Sequence, residues 1–169
     1  MSAERIDEID VQILELLQAQ GRIKRNRIAE AVGLSVPSVS ERMRKLEERG
    51  VITGYHATVD AKRLHIDITV FIRVMVDGSE NYDAFVDRAI ETEEVQEVHS
   101  ITGEGSHILK VRTRSTTSLE RLLSQVQSWR GVRGTSTSIV LSTFKETRQV
   151  RPEPAELLPT GEYVREVAG

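Results

Sequence analysis

Cysteine is absent from these 169 residues, which excludes disulfide scaffolds, thiolate metal sites and cysteine nucleophiles together. Aromatic residues are scarce, at 4%, so any core must be assembled mainly from Leu, Ile and Val. No apolar run approaches the roughly 18 residues needed to cross a bilayer. The opening MSAERIDEID is acidic and lacks the apolar centre of a signal peptide, so the expected location is the cytoplasm. The histidines, His56, His65, His99 and His107, show no close metal-ligand spacing of the His-x-Glu-x-x-His kind. His99 beside Ser100 does not make a nucleophile with its base, because adjacent strand residues point to opposite faces. Nor is there a glycine fingerprint for phosphate. Neither a metal, a cofactor nor a catalytic set is expected.

What is present is an ordinary globular balance, 38% hydrophobic and 29% charged, sufficient for one medium domain or two small ones. The net charge is -3, yet between Gly21 and Gly50 eight bases (positions 22, 24, 25, 27, 42, 44, 45 and 49) face four acids. A local +4 inside an acidic chain is the footprint of a polyanion-binding patch, or else a solvated helix face.

Three short helices fit this segment. Asp7 suits the N-cap of the first, with Asp10 in the capping-box position and Ile9, Ile13, Leu16 and Leu17 at helical spacing; Gly21 would end it. The second runs from about Arg25 to Val32, with Ile28, Ala29 and Val32 inward and Gly33 as its stop. The third starts after Ser35, and Pro37 is tolerated in its first turn. Val36, Val39, Met43 and Leu46 form its inward stripe, leaving Ser38, Ser40, Glu41, Arg42, Arg44 and Lys45 outside. Small polar groups come early and bases follow, as a recognition helix requires when its first half enters the major groove of duplex DNA. Val51, Ile52, Tyr55 and Ala57 suit a short closing strand or wing. The candidate DNA-facing set is therefore Arg25, Ser35, Pro37, Ser38, Ser40, Glu41, Arg42, Arg44, Lys45 and Arg49. Arg42, exposed at mid-helix with a bidentate fork, is the best single contact, and Ser38 and Glu41 are base-edge candidates. Arg44, Lys45 and Arg49 suit phosphates. For each, the alternative is an ordinary solvated helix charge; Glu41 and Lys45 also form an i,i+4 pair.

Several of these features occur together in one known family. D-x-x-D-x-x-I-L precedes the first turn and G-R follows it; then come GLS-x-x-x-V-x-x-R-x-x-x-L-E and G-V-I-x-G-Y, with I-T-G-E at 101–104. In these motifs the chain resembles the Lrp/AsnC family over roughly residues 5 to 146. The resemblance implies a bacterial or archaeal transcription regulator, dimeric and often further assembled, responsive to amino acids or related metabolites.

The second half reads differently. Residues 61–65 suit a linker. From Ile66 to Val76 every even position is Ile or Val, a period-two strand. Asp77-Gly78-Ser79 breaks it, and Tyr82, Phe85, Val86 and Ile90 give a helical stripe. Strands follow at Val95–Thr102 and His107–Thr113, then a helix capped by Thr117 with Glu120 and buried through Leu119, Leu122, Leu123, Val126 and Trp129. Gly131 ends that helix, and Thr135–Phe144 is the last strand. The order β-α-β-β-α-β is the ferredoxin-like split arrangement. The expected class is therefore α+β: a helix-turn-helix domain over 1–60, the linker, and a ferredoxin-like ligand-sensing and oligomerisation domain over 66–148, with a tail over 149–169. Helices cover one sheet face only, so a second copy could bury the other. Two-fold symmetry would then set two recognition helices about 34 Å apart on successive half-sites.

The turn Thr102, Gly103, Glu104, Gly105, Ser106 and His107 is the candidate effector site, with Thr135, Ser136 and Thr137 as further polar groups. Glycines there admit a ligand to the backbone, and Glu104 could meet an amino group. A glycine-rich hairpin turn and a polar strand edge are the plainer readings. Where many members of the family continue with aromatic-Asp-aromatic, this chain has Gly105, Ser106 and His107, which leaves an amino-acid ligand open. The tail, with Pro152, Pro154, Pro159 and Gly161, should be largely irregular; Leu157, Leu158, Tyr163 and Val164 could dock on a neighbouring subunit. Two further readings stay open: a ligand-independent architectural DNA-binding protein, and a metabolite-binding regulatory subunit of an enzyme.

Overall fold

Asp7 begins the first helix as its position suggests: its extended backbone and carboxylate cap the amide of Asp10, whose own carboxylate accepts from the Asp7 amide. The computed structural model describes residues 5–157. In it β1 (Arg5–Ile6) leads into α1 (Glu8–Ala19), α2 (Arg25–Val32) and α3 (Val36–Glu48). Gly33 takes the left-handed conformation (φ 69°) that lets α2 stop and α3 start three residues later. Their core holds Ile6, Ile13, Leu14, Ile28, Ala29, Val39, Met43 and Leu46. Three expectations are corrected. First, α1 stops at Ala19, ahead of Gly21, because the Gln20 backbone leaves the helical conformation (φ -146°, ψ 89°) after its amide makes the last helical bond, to Leu16 O. Second, Leu14 is buried while Ile9, Leu16 and Leu17 are only half-buried. Third, Val36 is not part of the inward stripe, at 42% exposed. No closing strand forms after α3. The amides of Val51 and Ile52 both turn back to Leu46 O, and residues 53–58 find no ladder.

After a 3-10 turn at Lys62–Leu64, β2 (Ile68–Val76) alternates buried and exposed residues as its sequence does. It starts at Ile68, later than the pattern, because the Ile66 amide is bound to Ala61 O in that turn. A second 3-10 turn, Ser79–Asn81, leads into α4 (Tyr82–Glu91). There follow β3 (Val95–Ser100), β4 (His107–Thr113), α5 (Thr116–Gln127) and β5 (Val132–Ile139). Sheet order is β3-β4-β2-β5, with every neighbouring pair antiparallel. This is the ferredoxin-like arrangement. Its core is Val70, Ile72, Val74, Leu109 and Val111 from the sheet, closed by Phe85, Ala89, Leu119, Leu122, Val126 and Trp129 from the helices. On α4 the inward residue is Ala89; Ile90 is 68% exposed. The cap of α5 is Ser115 with Ser118, two residues before the Thr117–Glu120 pair, because Ser115 already has the extended backbone a cap needs. That helix ends at Gln127, and Gly131 serves the turn beyond with φ 83°. Similarly β3 stops at Ser100, where the Ile101 amide closes the turn on Ser106 O. The last strand runs Val132–Ile139 instead of 135–144: β2 has no residues left to pair beyond Ile68, and Val140 makes a final bond to Thr69 O.

The chain then returns. Among the described residues, 147–157 group with 5–58 as one compact unit, and Val59–Glu146 form the other. Within the first unit β6 (Ala155–Glu156) pairs antiparallel with β1, and Leu157 packs on the helical core. Up to residue 157 the tail is irregular apart from these two residues, and its Leu157 docks on its own chain. Leu158, Tyr163 and Val164 lie outside the described residues.

Candidate nucleic-acid interface and effector loop

α3 owes its start to Ser35, whose hydroxyl accepts from the Ser38 amide at 3.3 Å, and to Pro37 in the first turn, where no amide is needed. One side of the helix is pinned by Val39, Met43 and Leu46. The other carries Val36, Pro37, Ser38, Glu41, Arg44 and Lys45, all exposed, with Ser40 half-buried at the border.

The charges on this face are largely paired among themselves. Arg44 grips Glu41 at 2.7 and 2.9 Å and also binds Glu48; Lys45 lies 3.6 Å from Glu41. The Arg44 hydrogen bond, ahead of the attraction of Lys45, brings the Glu41 carboxyl down to about 2. Arg27 is bound to Glu30 at 2.9 Å. Tyr55, reaching back from beyond the helix, donates to Glu47 Oε1 at 2.8 Å; burial and that carboxylate raise its phenol to about 12. Arg22 and Lys24 line an open cleft between the end of α1 and the start of α2, with Arg25 one residue further on.

Arg42 is the main correction. It does not stand free in mid-helix: its side chain is only 30% exposed, and Nη1 donates to Asp7 Oδ2 and Asp10 Oδ1, both at 2.8 Å. The Asp10 bond, which outweighs burial, holds the guanidinium more firmly charged than usual. Burial pushes the Asp7 carboxyl up, but the Asp10 amide and Arg42 together hold it below its ordinary 3.8. Arg42 thus fastens α3 to the capping box of α1. Periodicity could place Arg42 on a face but could not disclose partners 32 and 35 residues away. Arg49 is tied down as well, donating to Arg5 O at 3.4 Å.

In the second unit, the turn 102–107 is held by Ser106. Its amide and hydroxyl both reach Val74 O (3.0 and 3.2 Å), and its oxygen accepts from the Val76 amide at 3.0 Å. Gly105 passes so close that a Cβ there would lie 3.2 Å from Val74 O, with φ +88°; Gly103 at φ +93° has open space. Thr102, Gly103 and Glu104 are exposed. His107 is corrected: it is 1% exposed, a core residue set against Tyr82 and Phe85 with both ring centroids at 4.8 Å. Nδ1 is 2.9 Å from Ser106 Oγ, Nε2 has no partner among the described residues, and burial pushes the imidazole below its ordinary 6.5. Register places His107 and Thr135 on either side of Val74, so the sheet does bring the two groups of candidates to one level. The Thr135 hydroxyl, however, already accepts from Gln127 at 2.8 Å, while Thr137 and Ser136 stay exposed.

The sheet face away from the helices exposes Phe71 and Met75; Ile139, opposite the buried Val70, belongs to the helix-covered face and is half exposed at the end of β5, and the following segment holds Leu141 and Phe144 at 93% and 99% exposure. That segment is anchored by Glu146, which accepts from Arg112 at 2.7 Å and from Lys110, itself 3.1 Å from Glu97. These anchors were not legible beforehand, since nothing in a strand pattern says which residue returns to it.

A family model described as winged helix-turn-helix DNA-binding matches residues 6–53, and one described as Lrp/AsnC ligand binding domain matches 69–150. HTH-type transcriptional regulator LrpA of Mycobacterium tuberculosis is 37% identical over 150 residues, 88% of this chain and 99% of the relative. The structure of Escherichia coli AsnC superposes with a TM-score of 0.81 at 30% identity, covering 87% of this chain and 99% of that one. A feast or famine regulatory protein from M. tuberculosis complexed with L-methionine gives 0.81 at 35% identity, covering 86% and 99%. No described helix is long and apolar enough to cross a membrane.

Proposed function

The chain belongs to the Lrp/AsnC family of transcriptional regulators, and from that premise we propose which of its surfaces do the work. The outer face of α3 enters the major groove of duplex DNA, with Ser38 and Glu41 at base edges and Val36 and Pro37 offering apolar contact to thymine methyls. Arg44, Lys45, Arg49 and Arg25 lie towards phosphates. The observation supporting this is that Val36, against its helical pattern, is left in solvent at the leading turn of α3. A second copy covers the open sheet face through Phe71 and Met75, giving a homodimer that presents two α3 helices to successive half-sites. Dimers of this kind can assemble further into higher oligomers such as octamers.

The effector is an amino acid bound at Thr102, Gly103 and Glu104 near the subunit interface, on the strength of the L-methionine complex of the relative. Gly105 and Ser106 shape this loop, and His107 supports it from below without touching the ligand. The protein works in the cytoplasm and performs no catalysis. A ligand-independent architectural role is favoured by one feature: His107 and Thr135 are both occupied within the fold.

Gel shifts on the protein's own promoter region, with and without a panel of amino acids, test the whole reading. Regulated binding predicts a shift that at least one amino acid alters. An unaltered shift supports the architectural role, and no shift at low ionic strength rejects DNA binding.

A further inference from the structure

The returning end of the chain is fastened to the unit that carries α3 in three ways. The side-chain amide of Gln18, on α1, donates to Val150 O at 3.0 Å, and its Oε1 accepts from the Val150 amide at 2.8 Å. The Gln149 side chain adds a bond to Gln18 O at 2.9 Å. Further on, β6 lies antiparallel to β1, pairing Ile6 with Ala155 and Arg5 with Glu156. Leu157 then packs against the core that contains Ile6, Ile13 and Leu14. An amide clamp, a short ladder and an apolar plug thus act on residues 149–157, nearly all of them past residue 150, where the ligand-binding match ends.

The strand that receives this strap also anchors α3. Ile6 immediately precedes Asp7, which holds Arg42 at the middle of α3, and Arg5 O accepts from Arg49 at the end of that helix. Arg42 holds α3 to two carboxylates, Asp10 within α1 and Asp7 beside the strand, and the second hold is only as firm as Asp7 itself. Asp7 follows a strand of two residues, too short to hold its place without a ladder partner. With β6 in place, the backbone of Arg5 and Ile6 is fixed on one side by the strap and on the other by α3.

We propose that residues 149–157 are a positioning strap for the DNA-reading helix: by immobilising Arg5–Asp7 they set the pose in which α3 offers its outer face. This rests on the assignment of α3 as the helix that meets the duplex. A reading helix must be held to a fraction of an ångström by the residues behind it, so a loosened strap weakens binding without changing any residue that touches DNA.

The test uses the full chain with Gln18→Ala and Leu157→Ser, singly and combined, both neutral changes that leave the phosphate attraction intact. Affinity for a duplex of the protein's own promoter region is read by fluorescence anisotropy at a temperature where circular dichroism shows all variants equally helical. Trp129, the only tryptophan, lies in the second unit and reports its integrity independently. The double variant should bind about five- to tenfold more weakly, the scale of one or two lost net contacts, with unchanged Trp129 emission and faster amide exchange in α3. Leu157→Met should restore wild-type binding. Arg42→Ala already severs α3 from Asp7, so adding the strap changes to it should cost little more. Wild-type affinity in the strap variants, or penalties that simply add to that of Arg42→Ala, would overturn the proposal. The exchange measurement needs no DNA: unaltered protection of α3 defeats the strap even if the wild-type chain ignores duplexes, a result that would instead defeat the assignment of α3.

Discussion

Replacing Arg42 by alanine separates two roles that one guanidinium could play. Nη1 lies 2.8 Å from a carboxylate oxygen of both Asp7 and Asp10, so the change strands two acids at once. They are not equivalent. The Asp7 side chain is half exposed, and water recovers most of what it loses, leaving about 0–1 kcal/mol. Asp10 is buried and keeps only the Asp7 amide at 3.2 Å as a partner, and the lost charge-assisted bond is worth about 1.5–3 kcal/mol. The helical unit should therefore lose about 2–3 kcal/mol, or roughly 10–20 °C in Tm for a domain of this size. Circular dichroism would follow that transition while Trp129 emission follows the other unit. Asp10→Asn should cause much of the same loss, and combining it with Arg42→Ala should add little. Because Asp7 is held below its ordinary 3.8, its share is complete above about pH 4 and fades only as pH falls through the lower folded value. The reasoning fails if Arg42→Ala leaves the melt unchanged while weakening a specific duplex far more than a scrambled one, the behaviour of a base-reading arginine.

The second unit offers two further checks. Burial lowers the His107 imidazole below 6.5, so the unfolded chain binds a proton that the folded one refuses. Stability should then be full above about pH 6.5 and decline below it; urea titrations on Trp129 emission should show this slope, and His107→Leu should flatten it between pH 5 and 7. A slope unchanged by that substitution would remove His107 from the account. At the turn, Gly103→Ala meets only an unfavourable backbone, about 1–2 kcal/mol, whereas Gly105→Ala must also push against Val74 O. The Gly105 variant should melt lower; equal melts would contradict the close approach.

The parts of the fold governed by local rules could be read directly. Alternation fixed the faces of β2, and Ser35, Pro37 and Gly33 marked where α3 starts. The order of strands and helices followed from spacing. What escaped were ends and distant pairings. The limit of β5 depends on where β2 begins, and the choice of Ser115 over Thr117 depends on one backbone conformation. Ala89 takes the inward place instead of Ile90 because it lies one helical turn, four residues, beyond the buried Phe85. Arg42 and His107 were misjudged for the same reason: a polar side chain on a periodic element looks exposed until its partners are known, and those partners sit on other elements. Proline in the tail announced irregular backbone, and said nothing of where that backbone would lie.

The pairing of charges also changes how the basic patch should grip DNA. Of the eight bases between residues 21 and 50, Arg27, Arg42, Arg44 and Lys45 are engaged with carboxylates, and Arg49 is bound to Arg5 O. Arg22, Lys24 and Arg25 are the ones without a carboxylate partner among the described residues. A cation already neutralised by its own chain releases fewer counterions on meeting a phosphate, because the carboxylate it leaves must recruit them back. Binding should therefore fall with salt at a slope of about -3 per subunit in log K against log salt, against about -7 if all eight bases took phosphates. Glu41→Gln combined with Glu48→Gln frees Arg44 and Lys45 without adding a base, so it should steepen the slope towards about -5 and tighten binding to unrelated duplexes most at low salt. Anisotropy titrations between 50 and 300 mM salt would measure both. A wild-type slope near -7 would mean that these ion pairs open on the duplex at no cost, and that four acids in the patch do nothing to restrain it.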